Sequence, residues 1–432
     1  MHLALRAYVL LVITAVLAIA GLWSSDPVLA GAWRWPAFLL LAGLALEGLL
    51  IRRTPLTVRL ESAVRAFLGR REQGAFLFRN EGSRELQLEY FPATPPGIEP
   101  LDSSRRIRIA ARGATRDPVT LLPVRLGEQR WPELPARLLG RFGLAWWPRP
   151  LEPECTITVS PDTLHTARRR PTGNPAGTRP RRTVGAGSEL HQLRGYVPGD
   201  PISRIDWKAT ARFGTLISRE FTEDQHLDIV VAIDAGRLSR VRAGAIDRLG
   251  LYANIAARLA EVVTPNDDRI GLVVYSDRVH AVAPPTRGLT AVIRIRRTLE
   301  RLAVLPAESD PVDAAVRIRT LLRHRGLVVL LTDLEDATIS GQLARAVRLL
   351  SPPHLVVVAG VQSAEIASLA RTPARSWRDP WIALAAQEHE ARAHSHRLLL
   401  ERLGAPVVAA REELLERAVF ARYESLRRTR RV

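Results

Sequence analysis

At 432 residues, 47% apolar and 25% charged, the chain has room for two or three domains, and its composition excludes long disorder as a general state. Its one cysteine, Cys155, excludes an internal disulfide framework and cysteine-built zinc or iron–sulfur sites, and fits a reducing compartment. The formal charge of +18 is the anomaly: it is nearly all arginine, which fits a GC-rich coding bias as well as an anionic membrane surface, nucleic acid or an acidic partner.

From the N-terminus, Tyr8 to Trp23 is apolar apart from Thr14, and Trp35 to Ile51 is apolar apart from Glu47. Each is near the lower limit of about 17–25 residues that a bilayer requires, so residues 1–55 are expected to form a transmembrane helical hairpin with little tilt. Ser24-Ser25-Asp26-Pro27 makes the turn, and Trp23, Trp33 and Trp35 fall at the aqueous edges. Arg6 precedes the first span, and Arg52, Arg53 and Arg59 follow the second. Positive charge therefore places both termini in the cytoplasm, as in a two-span protein of the cell inner membrane. A signal peptide cleaved at Val28-Leu29-Ala30 is the rival reading, and the second span following at once argues against it. Glu47, about one turn from Arg52-Arg53, is expected to snorkel toward them.

Residues 56–160 read as a β-rich, sandwich-like module. Short alternating stretches such as Ala75-Phe76-Leu77-Phe78, Leu86-Gln87-Leu88-Glu89-Tyr90 and Thr156-Ile157-Thr158-Val159 are separated by Gly, Pro, Asn and Ser clusters. Residues 161–186 form a basic Pro/Gly-rich linker carrying Arg168, Arg169, Arg170, Arg179, Arg181 and Arg182. Such a composition buries too little apolar area to order itself, and its charge suits either anionic headgroups or plain solvation. A second basic cluster, Arg427, Arg428, Arg430 and Arg431, closes the chain.

Residues 227–432 alternate between strands and helices. Buried strands are expected at Ile229–Ile233, Ile270–Tyr275, Leu327–Leu331, Leu355–Val361 and Pro406–Ala409, with Val279–Val282 as a short antiparallel edge. Amphipathic helices are expected over 242–263, 289–302, 311–323, 340–350 and 380–403. That alternation implies a doubly wound, mainly parallel sheet. Ligands of such sheets bind beyond the carboxyl ends of the strands, which is where Asp234 and Asp333 fall. Two carboxylates there are the beginning of a hard-cation site.

The most specific stretch, residues 187–226, opens Gly187-Ser188-Glu189-Leu190-His191-Gln192-Leu193-Arg194-Gly195-Tyr196-Val197-Pro198-Gly199-Asp200 and continues through Ile205-Asp206-Trp207-Lys208 to Arg212. Opposed charges on Arg194, Asp200, Asp206, Lys208 and Arg212, beside Tyr196 and Trp207 and around the turn at Gly199, make either a salt-bridged clasp that docks the segment on the sheet or a polar partner-binding surface. No nucleophile, base and orienter are legible together, no Gly-x-Ser-x-Gly elbow occurs, and Gly185-Ala186-Gly187 lacks a P-loop continuation. His389, His394 and His396 lie on one expected helix, where only His389 and His396 share a face, and a solvated face is expected for them.

This segment closely resembles the signature of the bacterial family catalogued as domain of unknown function 58, with Ser203 where that family usually has Arg. The resemblance extends to Asp234-Ala235-Gly236-Arg237-Leu238 and Leu331-Thr332-Asp333-Leu334, and to the membrane hairpin and β-module. The final region is also similar to the von Willebrand factor A domain, so the fold implied is an α/β von Willebrand factor A-like doubly wound parallel sheet preceded by the β-module and hairpin. That domain's metal site uses Asp-x-Ser-x-Ser, a Thr and a later Asp. Here Gly236 and Leu238 replace both serines and Glu308-Ser309-Asp310-Pro311 lacks the Thr. Asp234 and Asp333 would then be a degenerate site, with magnesium the one candidate and no cofactor expected. The family resemblance implies a MoxR-type AAA+ ATPase as partner beside membrane lipid, and hence a non-enzymatic membrane adaptor or scaffold, with no specific nucleic acid. A magnesium- or manganese-dependent ligand-binding module is the alternative; a nucleic-acid-associated membrane protein rests on charge alone.

Overall fold

A two-residue strand, β1 (His2–Leu3), leads into α1 (Leu5–Leu22), followed by α2 (Pro27–Gly31) and α3 (Arg34–Ile51). This is a computed structural model that describes residues 2–23, 26–63, 65–101, 103–163, 184–185, 189–222, 227–371 and 373–428. The basic linker cluster at Arg168–Arg182, and Arg430 and Arg431, lie outside the described residues. Asp26 caps α2 by accepting the Val28 amide at 2.9 Å, with Pro27 at the first helical position. Leu5–Leu22 and Pro27–Ile51 are long and apolar enough to cross a membrane.

Ten strands follow: β2 (Leu56–Glu61), β3 (Arg65–Phe67), β4 (Glu72–Asn80), β5 (Leu86–Tyr90), β6 (Arg105–Ile109), β7 (Ala114–Leu121), β8 (Gly127–Arg130), β9 (Ala136–Leu139), β10 (Ala145–Pro148) and β11 (Thr156–Ser160). They form a sandwich-like region of three sheets, ordered β1-β10-β9-β5-β6, β2-β4-β7 and β3-β11-β8. Period-two alternation builds it: along β2 the apolar Leu56, Val58 and Leu60 are buried and the residues between them exposed. The core centres on Phe76, Phe78, Tyr90 and Trp131, with the Phe78 and Tyr90 rings 4.7 Å apart and tilted. The buried Tyr90 hydroxyl donates to Asp117, which also takes Arg105 at 2.9 Å. Burial first and Asp117 second push the Tyr90 phenol well above its usual range.

Glu47 departs from the sequence reading. Its side chain does not snorkel to Arg52-Arg53; it is fully buried and accepts the amides of Phe142 (2.6 Å), Leu144 (3.2 Å) and Ala145 (3.2 Å) and the Trp147 indole N–H (3.3 Å). A carboxylate withdrawn from water needs such donors, and the turn between β9 and β10 supplies two of them and β10 itself the other two.

Next come β12 (Val184–Gly185), β13 (Glu189–Gly195), α4 (Trp207–Phe213) and β14 (Ile217–Thr222), with the sheet order β12-β14-β13. The remaining elements are β15 (Asp228–Asp234), a ribbon of β16 (Arg242–Ala243) and β17 (Ile246–Asp247), α5 (Arg248–Val263), β18 (Arg269–Tyr275), β19 (Val279–Thr286), α6 (Gly288–Leu299), α7 (Pro311–Leu321), β20 (Leu327–Leu331), α8 (Ala337–Leu350), β21 (Leu355–Val361), α9 (Ala364–Leu369), α10 (Asp379–Arg402), β22 (Val407–Ala410) and α11 (Glu412–Arg428). Six strands form one sheet in the order β19-β18-β15-β20-β21-β22, parallel except for the antiparallel edge β19. The continuous apolar runs work as expected: Ile229 to Ile233 and Leu327 to Leu331 are almost wholly buried. The chain builds outward from β15 through β18 and β19, then returns to the other side of β15 with β20. The strand order therefore reverses between β15 and β20.

Three differences from the sequence reading stand out. The helix expected from Arg242 begins at Arg248, because the chain first makes the β16–β17 ribbon. The short α9 and the long α11 were not foreseen; α11 places Glu412 and Glu413 in its first turn and Arg427 and Arg428 in its last, matching its dipole. By their packing the described residues form two compact units. One comprises Met1–Asp162, Ala235–Ala257 and Arg296–Glu308, and the other Thr163–Asp234, Arg258–Ile295 and Ser309–Val432.

Candidate functional site

In the signature segment, β13 and β14 pair antiparallel from Glu189↔Thr222 to Gly195↔Ile217, with a bulge between Leu190 and Gln192. Between the strands, Pro198-Gly199 turns the chain: the Asp200 amide reaches the Val197 carbonyl at 3.0 Å, and Gly199 has φ +112°, which disfavours any side chain there. Arg194 then closes the loop. Its two terminal nitrogens each donate to Asp200 at 2.8 Å, and its Nε donates to Glu220 at 2.7 Å. The Arg194 guanidinium and the Val197 amide hold the Asp200 carboxyl below its ordinary value. Asp206 caps α4, accepting the amides of Lys208 (3.1 Å) and Ala209 (3.0 Å). The clasp thus joins the segment to itself, and its third member, Glu220, was not read from the sequence.

Outside that clasp the segment is apolar and open. Trp207 is 64% exposed, Ile202 72% and Phe213 70%, with Val197 and Leu216 also exposed. Lys208 and Arg212 stand exposed on the same short helix, and Tyr196 is half-buried. Five exposed apolar side chains on one short stretch of chain, two of them aromatic, are the residue types that protein-binding surfaces use.

At the switch point, β15 delivers Asp234 and β20 delivers Thr332 and Asp333. Asp234 is buried and accepts hydroxyls on both oxygens, from Ser309 on one and from Thr332 at 2.8 Å on the other. Asp333 caps its own loop by accepting the Glu335 amide at 2.8 Å. Arg237 pairs with Glu308 at 2.5 Å. The loop without a Thr therefore still supplies a hydroxyl through Ser309, a partner the motif comparison passed over. Among the described residues no group of three or more His, Cys, Asp or Glu is placed to hold a metal ion.

The histidines of α10 are placed differently from the solvated face expected of them. His389 and His396 are half-buried and line two neighbouring recesses, His389 with Glu335, Ser363 and Arg397, His396 with Asp333, Asp336 and Ser340. His394 is exposed.

Residues 192–374 match the family described as Protein of unknown function DUF58, so the resemblance carried by the signature holds over that stretch. An uncharacterized protein of Mycobacterium tuberculosis is 25% identical over 151 residues, covering 34% of this chain and 48% of that protein. One of Mycobacterium bovis matches to the same extent. The match spans about half the length of these relatives. Among solved structures, a CARDB domain from Pyrococcus furiosus in complex with di-metal ions overlaps 24% of this chain and 88% of its own, at 10% identity and a TM-score of 0.17. Proximal thread matrix protein 1 from the mussel byssus overlaps 47% of this chain and 46% of its own, at 13% identity and 0.27. Overlaps this slight carry nothing about fold or function.

Proposed function

From the premise that residues 192–374 are DUF58 sequence, we propose that the protein is a non-enzymatic, membrane-anchored adaptor. It presents a von Willebrand factor A-like sheet and the signature segment to a MoxR-type AAA+ ATPase or to that ATPase's client. The observation that carries the reading is the exposed apolar group Val197, Ile202, Trp207, Phe213 and Leu216, held on a segment that Arg194 locks internally. Rigid scaffolding under an exposed aromatic is how a hot spot is prepared for a partner. The anchor is supported by the two apolar helices, and a cytoplasmic body by Arg6 before them and Arg52, Arg53 and Arg59 after them. The von Willebrand factor A-like reading is supported by the strand order, the antiparallel edge and Asp234 at the switch point. The partner's identity comes from family analogy, and fold by itself names no function.

Mild crosslinking in membranes followed by affinity recovery of the full chain tests it. An AAA+ ATPase is expected among the recovered proteins and is expected to be lost from Trp207→Ala/Phe213→Ala. Its absence from the wild-type sample overturns the reading.

A second reading, a divalent-cation-dependent ligand site, is favoured by the hydroxyls of Ser309 and Thr332 on Asp234. Magnesium or manganese would meet oxygen donors there, the ligand type both prefer. Calorimetric titration of the full chain with each ion decides it, and the absence of both binding heat and a raised Tm removes this reading.

A further inference from the structure

The way the membrane helices meet the β-module fixes where the bilayer must end. α1 has 18 residues, about 27 Å at 1.5 Å per residue, nearly the roughly 30 Å of a hydrocarbon core. Its first turns pack against α3: Ala7, Leu10, Leu40 and Leu44 share one small core with Leu144. The start of α1 is therefore level with Leu40–Leu44. The remaining residues of α3, Ala45 to Ile51, run about 10 Å farther and are received by the β-module. Glu47 accepts the donors of the β9–β10 turn, and Gly43 and Gly48 lie directly under Leu144 and Trp147.

The same turn grips the first helix. β1 pairs with β10 at His2↔Trp146 and Leu3↔Ala145, the Ala4 amide donates to the Leu144 carbonyl at 2.7 Å, and Arg6 donates to the Phe142 carbonyl at 3.0 Å. The loop Gly140–Leu144 is thereby pinned to both helices at the depth where α1 begins. What it turns outward there is Phe142, 40% exposed, with the Arg141 guanidinium 6.0 Å from its ring. Arg6 is exposed beside it. An aromatic ring flanked by two arginines, held at the edge of a bilayer, matches the lipid–water interface: the ring suits the acyl boundary and the guanidinium groups suit anionic headgroups.

We infer that the Gly140–Leu144 loop is a third membrane contact, with Phe142 seated at the acyl boundary of the leaflet that α1 enters and Arg141 and Arg6 on its anionic headgroups. This rests on the reading of the two helices as a membrane anchor.

Site-directed depth measurement on the full chain tests both separately. Cys155→Ala removes the native thiol, and Phe142→Cys or Leu39→Cys, the latter exposed on α3 just to the membrane side of Leu40–Leu44, then carries an environment-sensitive fluorophore. The protein is reconstituted in phosphatidylcholine vesicles with or without phosphatidylglycerol and with nitroxides near the headgroup or near the acyl end. The label at position 142 is expected to be quenched more by the shallow nitroxide than by the deep one and to be shielded from aqueous iodide. Adding phosphatidylglycerol is expected to strengthen that quenching, and Arg141→Glu to abolish the strengthening. The label at position 39, about one turn inside the bilayer edge, is expected to be quenched by a lipid nitroxide and shielded from iodide. A lipid-quenched position 39 with position 142 unquenched and open to iodide overturns the inference alone. No lipid quenching at either position overturns the anchor, and the inference with it.

Discussion

Arg194 divides one guanidinium between Asp200 and Glu220, a geometry a lysine ammonium cannot reproduce from a single point. Arg194→Lys is expected to speed amide hydrogen exchange at Val197 and Asp200 while leaving the buried strand β15 unchanged. Asp200 is held below its ordinary value, so the clasp's contribution is complete above the unfolded carboxylate's value near 4 and fades as pH falls through the lower folded value. Exchange at Val197 in the wild type should therefore stay slow down to about pH 4, whereas Asp200→Asn should exchange fast already at neutral pH. His354, a base, gives a pH dependence of the same sign by a different cause. Burial, with Arg319 nearby, depresses its folded value below the usual 6.5, so the unfolded chain takes up a proton that the folded chain refuses. Stability should fall as pH drops from about 6.5 toward that lower folded value. His354→Gln should flatten the dependence, as read from urea midpoints at pH 7.5 and 5.5 in detergent. At the switch point, Thr332→Val removes a hydroxyl from buried Asp234 and should cost about 1–3 kcal/mol in the same assay.

At the scale of elements, the turn between β9 and β10 is the most demanding piece. Glu47→Ala leaves the buried Leu144 and Ala145 amides without their acceptor, at about 1–3 kcal/mol each. Gly140→Val should act as severely, since any Cβ at Gly140 would fall 2.1 Å from the Glu47 carboxyl carbon. Both variants should open residues 140–144 to limited proteolysis while the β15–β20 strands stay protected. None of this was legible in the sequence. Glu47 is read correctly as an expensive charge, yet its donors lie 95 to 100 positions downstream, and nothing local announces them. The central sheet was legible, because strands buried on both faces must be apolar throughout and those at Ile229, Ile270, Leu327 and Leu355 have no other use for such runs. Helix α11 escaped because its apolar residues Leu415, Val419, Tyr423 and Leu426 are spread among eight charged positions of one helix. Tyr423 is fixed by a hydroxyl bond to buried Asp268, a contact 155 positions away. The signature was legible as a motif, but not its third anchor: Glu220 reaches Arg194 only once β13 and β14 have paired.

For the whole molecule, the exposed apolar surface of α4 separates stability from function. Trp207→Ala/Phe213→Ala should change Tm little, because surface truncations away from special features stay within about 0.5 kcal/mol each. The same variant should lose ATPase recovery from crosslinked membranes. A variant that both unfolds and loses recovery would instead place those side chains in the segment's own core. The proposed two-helix anchor has a mechanical side as well. Residue 3 already belongs to a strand of the β-module, and only Arg52 to Pro55 separate α3 from β2, so neither helix is joined to that module by slack chain. A machine tugging on the β-module would load both helices at once, through the β1–β10 pairing and through the Glu47 cradle. The bilayer would then resist as a pair of piles sharing one beam, and extraction would require both to yield together.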